Sequence, residues 1–206
     1  MTAPHVAGLL LAAGSGSRYG RPKALVGGWL ADRAHALLDG GCAPCVVVLG
    51  AGAEEARLLV PAGVDVVVAD DWHEGMAASF RAGLRALERT AARAVVVTLV
   101  DTPGVGAAAV GRLAALARDS EGSSLLAQAA YDGVPGHPVL LGRDHWSGAA
   151  HAAKGDRGAR AYLAEHAPQR VECGDVGHSR DVDVDVDAAG QGRVGAAGGG
   201  ATCEAF

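Results

Sequence analysis

A short apolar run that breaks abruptly into small residues and cations constrains this chain most. Val6 to Lys23 reads VAGLLLAAGSGSRYGRPK. Val6, Leu9, Leu10 and Leu11 form an uncharged run bounded by turn residues, the mark of a strand buried on both faces. Gly14, Ser15, Gly16, Ser17 and Gly20 follow, with Arg18, Arg21 and Lys23 threaded through them. Glycine lets the backbone approach closely and adopt left-handed conformations, so such a loop can bring several N–H groups onto one anion. The cations neutralise what the amides cannot. The ligand this pattern suits is a polyphosphate.

Two better-known phosphate loops are excluded by spacing. The dinucleotide fingerprint G-x-G-x-x-G fits at Gly14 and Gly16, but position 19 is Tyr and the next glycine, Gly20, comes one residue late. A Walker A loop needs Lys directly after its last glycine, whereas Gly20 is followed by Arg21 and Pro22.

Downstream, apolar runs alternate with stretches rich in Ala, Leu and Arg. Val46 to Leu49, Val64 to Ala69, Ala94 to Val100 and Ser124 to Ala129 are expected strands. Trp29 to Asp39, Ala53 to Leu59, Met76 to Arg89 and Ala107 to Asp119 are expected helices. Alternation of this kind predicts a Rossmann-like, doubly wound α/β fold, a mostly parallel sheet with helices on both faces. Ligands bind such sheets at the carboxyl ends of the strands, which is where the Gly-rich loop departs. The 206 residues suit one domain, expected over 1–190, followed by a flexible Gly/Ala-rich tail over 191–206.

Charge narrows the partners. With 18 basic and 23 acidic residues the net charge is −5, which argues against a nucleic acid held on a basic surface. No apolar stretch reaches the ~20 residues of a membrane span, and the start MTAPHV lacks a basic leader, so a cytoplasmic location is expected. Cys42 and Cys45 form a C-x-x-C. The pair precedes a strand rather than opening a helix after one, and Cys173 and Cys203 supply no second pair. Inert thiols are the expectation.

Five later segments carry chemistry. In Asp70 to Arg81, DDWHEGMAASFR, acids and Gly75 precede a helix, which is an ordinary helix start. In Ala94 to Pro103, AVVVTLVDTP, an apolar strand ends in Asp101. An acid there can hold a hard cation such as Mg²⁺, which takes one or two carboxylates and keeps waters and phosphate oxygens, or it can cap the next turn with Thr102. Val134 to Leu141, VPGHPVLL, sets His137 among a glycine and two prolines. Lys154 to Arg160, KGDRGAR, opens a helix expected to run to about His166, either as an anion-facing turn capped by Asp156 or as a solvated one. Arg180 to Asp187, RDVDVDVD, alternates acid and valine, placing its acids on one face of a short strand where they repel unless a cation is present.

The pattern L-A-A-G-x-x-x-R-x-G-x-x-K from Leu11 to Lys23 resembles the opening motif of the MobA-like NTP transferases, closest to the molybdenum cofactor cytidylyltransferases. The later segments resemble that family's further motifs, in its order, over roughly Val6 to Asp187. The resemblance implies transfer of a nucleotidyl group from an NTP to a phosphorylated acceptor with release of pyrophosphate. It implies a nucleotide site from Leu11, Ala12, Ala13, Gly14, Ser15, Gly16 and Lys23, joined by Gly75, Met76 and Ser79. Lys23, Arg18 and Asp101 are the implied catalytic residues. His137, Lys154, Asp156 and Arg157 are implied at the acceptor. Asp101 and Asp183 are implied to hold Mg²⁺, with Asp181 or Asp185 as alternatives to Asp183, because the family's T-P-E piece is replaced here by Val184, Asp185 and Val186.

Ala12-Ala13-Gly14 resembles the cytidylyl-transferring members, so CTP is the implied nucleotide and molybdenum-loaded molybdopterin the acceptor, with a molybdoenzyme as a possible recipient of the product. Two rivals stand beside this reading. One is an NAD(P)H-dependent oxidoreductase of the same family acting on a quinonoid compound. The other is a non-catalytic molybdenum cofactor carrier, which the altered T-P-E segment favours.

Overall fold

The computed structural model describes residues 6–118 and 122–181. The run that opens the chain forms strand β1, Val6–Ala12, and every residue of it is buried. Side chains alternate along a strand, so its two sets of apolar residues need covers on opposite sides. Leu10 and Ala12 pack into one core with Leu30, Leu37, Val110 and Leu113. Leu9 and Leu11 pack into the other with Phe80, Leu84, Leu87 and Trp146. A leucine buried this completely contributes about 1.5–3 kcal/mol, which explains why so uniform a run specifies the centre of the sheet.

The first cover comes from α1 (Trp29–Asp39) and α4 (Ala107–Arg118). Helix α1 presents Leu30, Ala34 and Leu37, spaced to lie on one helical stripe. The second comes from α3 (Met76–Leu87) and α5 (Arg143–Ala152), with α6 (Arg160–His166) beside them. In α3 the stripe is Ala77, Phe80, Leu84 and Leu87.

The remaining strands are β2 (Cys45–Leu49), β3 (Val64–Val68), β4 (Ala94–Leu99), β5 (Leu126–Tyr131), β6 (Val134–Gly142) and β7 (Gln169–Glu172). Their order is β3-β2-β1-β4-β6-β5-β7. Strand β1 pairs in parallel with β2 on one side and β4 on the other. The sheet reverses at β6, which runs antiparallel to both β4 and β5. The expected doubly wound, mostly parallel α/β fold is thus present, with β6 as its one antiparallel strand among the described residues.

Several boundaries moved for physical reasons. Helix α2 is only Ala53–Arg57, not extending to Leu59, because Leu58 beyond it is 85% exposed and has no core to enter. The fifth strand begins at Leu126 rather than Ser124, the serines being used in the preceding turn. The VPGHPVLL segment, with His137 among its glycine and two prolines, forms most of strand β6. Helix α5 and strand β7 were not expected. Strand β7 is a polar edge strand without an apolar alternation to betray it. The tail over 191–206 and the acids from Asp183 to Asp187 lie outside the described residues.

Candidate active site

Strands β1 and β4 stay paired to their carboxyl ends, where the Val100 N–H donates to the Leu11 carbonyl at 3.1 Å. That pairing sets Asp101, the next residue, beside the start of the Gly-rich loop. The loop then folds back on itself. The amides of Tyr19 and Gly20 both donate to the Gly16 carbonyl, at 2.9 and 2.8 Å. Gly16 has φ +63°, and a Cβ there would collide with the Arg21 backbone, so this turn requires glycine. The return brings Lys23 onto a 3-10 turn, Lys23–Leu25, facing β4. Its Nζ lies 2.8 Å from Asp101 Oδ2, both side chains being largely buried at 13% and 21% exposure.

The segment after Asp101 is held from below. One guanidinium nitrogen of Arg33, on α1, donates to the carbonyls of Thr102 (3.1 Å), Pro103 (2.6 Å) and Val105 (2.6 Å). Burial pulls the Arg33 pKa below its ordinary value, against a smaller opposing effect of Asp32. Thr102 turns inward and donates its hydroxyl to the Leu99 carbonyl at 2.9 Å. Asp101 is therefore free of the capping duty that the sequence left open to it: the strand end is closed by Thr102 and Arg33, and the carboxylate faces the lysine.

These elements line a cleft of about 550 Å³. Leu11 to Gly16, Arg18, Lys23 and Asp101 form one side. Gly75, Met76 and Ser79 come from the start of α3 and Asp156 from the turn before α6. Gly75 has φ +104°, and a Cβ there would meet Asp156 Oδ1 and the Gly155 carbonyl carbon at 2.6 Å. Only glycine lets these two segments touch. Asp156 is consequently not the cap of α6: its helix starts at Arg160 after Ala159, without a side-chain cap, and Gly155–Arg157 forms a separate 3-10 turn.

The structure distributes the remaining expected residues differently. Lys154 and Arg157 are exposed on the Asp156 turn and are not part of the cleft wall. His137 is fully buried behind the cleft, with Nδ1 3.5 Å from the Val97 carbonyl. Desolvation pushes its pKa down to about 4, against a smaller opposing pull from the Val97 carbonyl and Asp101, so the imidazole is neutral. Asp183 lies outside the described residues, but Asp181 is in the cleft wall. Sequence reasoning did not single out Tyr19, Trp72 and His73, which also line the cleft. Trp72 and His73 sit inside the DDWHEGM segment, where a tryptophan in a chain with few aromatics was the available signal.

A donor set of this kind can be matched to an ion. Among the described residues no three His, Cys, Asp or Glu side chains gather as a metal cage. Two carboxylates lining one cleft, Asp101 and Asp181, suit a hard divalent cation that completes its shell with phosphate oxygens, and do not suit a structural zinc.

Compared with known proteins, residues 8–171 match the MobA-like NTP transferase domain. The chain belongs to the MobA-like NTP transferase family. It is therefore an enzyme of the nucleotidyltransferase class. Its curated relatives include nicotine blue oxidoreductase of Paenarthrobacter nicotinovorans, 36% identical over 197 residues, covering 87% of this chain and 93% of that one. Similar solved structures include Rv0371c of Mycobacterium tuberculosis, with TM-score 0.77 and 28% identity over 92% of this chain and 97% of that one. A second structure of Rv0371c, in complex with manganese, aligns with TM-score 0.65 and 26% identity over 83% and 88% of the two chains. A nucleotidyl transferase from Methanothermobacter aligns with TM-score 0.65 and 25% identity over 82% and 87%. Within this MobA-like chain, no helix among the described residues is long and apolar enough to cross a membrane.

Proposed function

We propose that this MobA-like enzyme moves CMP from CTP to a phosphorylated acceptor, molybdenum-loaded molybdopterin, and releases pyrophosphate. The observation that carries the reading is the convergence of the Gly-rich loop, Lys23 and Asp101 at the carboxyl ends of two adjacent central strands. In such a transfer an acceptor phosphate oxygen bonds to the α-phosphorus as the bond to the β-phosphate oxygen breaks, and pyrophosphate carries away the electron pair. The protein's part is positioning and charge neutralisation, with no covalent intermediate required.

Loop amides from Ala13 to Gly16 and the Arg18 guanidinium hold the triphosphate. Lys23, steered by Asp101, neutralises charge growing on the transferring phosphoryl group. Gly75, Met76 and Ser79 close the nucleotide side, and the Asp156 turn, with Lys154 and Arg157, receives the acceptor. His137 serves from behind the wall rather than by touching substrate. Asp101 and Asp181 would hold Mg²⁺, Asp181 taking the role that the sequence assigned first to Asp183. When bound, the ion supplies charge neutralisation across the phosphates. The manganese complex of Rv0371c supports a divalent ion, and Ala12-Ala13-Gly14 supports CTP. A cytoplasmic enzyme that hands its product to a molybdoenzyme completes the reading.

One observation favours a second reading. The relative at 36% identity is named an oxidoreductase, so NAD(P)H-dependent reduction of a quinonoid compound is the alternative. The test is pyrophosphate release with Mg²⁺, each of the four NTPs and molybdenum-loaded molybdopterin. Release with CTP alone is expected. No release with any NTP, together with NAD(P)H oxidation by a quinonoid dye, would replace the transferase reading with the reductase one.

A further inference from the structure

The chain's C-terminal described segment, Cys173 to Asp181, runs past α4, the Gly104 turn and strand β6, and ends in the cleft. It is fastened at three places. Arg112 on α4 holds its beginning, pairing with both Asp175 oxygens at 2.7 and 2.8 Å. That pair is exposed and contributes little by itself. Further on, the His178 N–H donates to the Gly104 carbonyl at 3.2 Å. Finally the His137 N–H donates to Ser179 Oγ at 2.7 Å, in a buried bond. His137 is in turn fixed through its carbonyl, which accepts from the Tyr131 hydroxyl at 2.6 Å.

Two glycines are seats for this segment. A Cβ on Gly104 would collide with the His178 ring, and one on Gly136 would come within 2.6 Å of Ser179 Oγ. The D-T-P-G and P-G-H-P strings thus each contain a glycine whose absent side chain admits the returning segment. Gly104 also completes a pattern. Arg33 takes the carbonyls of Thr102, Pro103 and Val105 from one side, and His178 takes that of Gly104. All four carbonyls after Asp101 are occupied, three by the interior of the fold and one by the segment that carries Asp181.

We infer that residues 173–181 form a strap whose Ser179–His137 and His178–Gly104 bonds fix Asp181 relative to Asp101, making Ser179 a positioning residue for the divalent-cation site. The inference rests on the reading of Asp101 and Asp181 as the metal pair. Two carboxylates bind one cation well only when their separation is fixed, and groups that orient ligands without touching the ion typically change its affinity 10–100-fold when removed. Ser179 acts on Asp181 two residues away, and Gly104 ties the same segment to the Asp101 loop.

The experiment measures Mn²⁺ affinity of the full chain, metal alone, by the electron paramagnetic resonance of the free ion. Ser179→Ala and Gly104→Ala are each expected to weaken binding about tenfold, and Asp181→Asn at least as much. The double variant Ser179→Ala/Asp181→Asn should match Asp181→Asn alone to within about twofold, because Ser179 works only through Asp181. A loss in the double variant equal to the product of the single losses would overturn the strap, as would normal Mn²⁺ affinity in both Ser179→Ala and Gly104→Ala. If Asp101→Asn weakens binding and Asp181→Asn does not, the strap fails while a metal at Asp101 stands. If neither Asp variant changes affinity, the metal reading fails and the strap inference with it.

Discussion

Lys23 Nζ and Asp101 Oδ2 lie 2.8 Å apart across the crevice between the two central strands. The residues are 78 positions apart in sequence, and the parallel pairing of β1 with β4 and the fold-back of the Gly-rich loop bring them together. The ion pair holds the lysine on the substrate side of the loop, where a compact ammonium can meet a phosphate oxygen. Lys23→Ala and Asp101→Asn should each lower turnover at least about a hundredfold. Far-UV circular dichroism should stay native, since neither side chain belongs to either apolar core. Steady-state kinetics on the purified variants checks this, and full activity in either would remove that residue from the mechanism.

Arg33 gives a prediction that sequence reading did not reach. Its guanidinium satisfies three carbonyls of the turn that follows Asp101. Hydrogen bonds from a charged donor are each stronger than neutral ones, and truncation leaves buried acceptors unsatisfied. Arg33→Ala should destabilise the protein by about 2–4 kcal/mol and lower kcat through the loosened Asp101 turn. Arg33→Lys should recover only part, because an ammonium lacks the planar fork. Urea unfolding alongside kinetics separates the two effects. An Arg33→Ala protein with unchanged stability would show that water replaces the clamp.

How far the sequence carried the description depends on where each residue's partner lies. Strand β1, helix α1 and the Gly-rich loop were legible because their signals are local: an apolar run, a helical stripe and glycines in a row. The placement of Asp101 at a strand tip was legible for the same reason. What was not legible is reciprocal. Arg33 looks like any surface arginine on a helix until α1 is docked beside the β4–α4 turn. His137, in a motif of prolines and glycine, read as a group that meets substrate, yet docking of β6 against β4 buries it completely. Strand β7 has no pattern of its own, being defined by its pairing with β5.

Cys42 and Cys45 are expected to be chemically silent. Both are buried, and the Cys45 thiol donates to the Cys42 carbonyl at 3.2 Å. Burial pushes the Cys42 thiol up to about 12 and the Cys45 thiol up to about 11. The reactive species is the thiolate, so at pH 8 almost none is present. Iodoacetamide applied to the native protein at pH 8 should label neither residue, while both label in guanidinium. Mass spectrometry of the digested protein reads the outcome, and rapid native labelling of either would rule out the buried arrangement.

The last prediction concerns acid. His137 is neutral in the fold because desolvation holds its pKa near 4, whereas an unfolded histidine titrates near its ordinary value of about 6.5. Between these values the unfolded chain binds more protons than the native one, so stability rises with pH through this window and falls on acidification. The stability that a neutral His137 protects is complete above about pH 6.5 and is lost progressively towards pH 4, a total on the order of 3 kcal/mol. His137→Gln, which keeps a polar side chain without a titrating group, should flatten the slope of unfolding free energy in that window. Urea denaturation of both proteins at half-unit pH steps measures it. Equal slopes would mean that His137 titrates alike in the native and unfolded states, contrary to its burial.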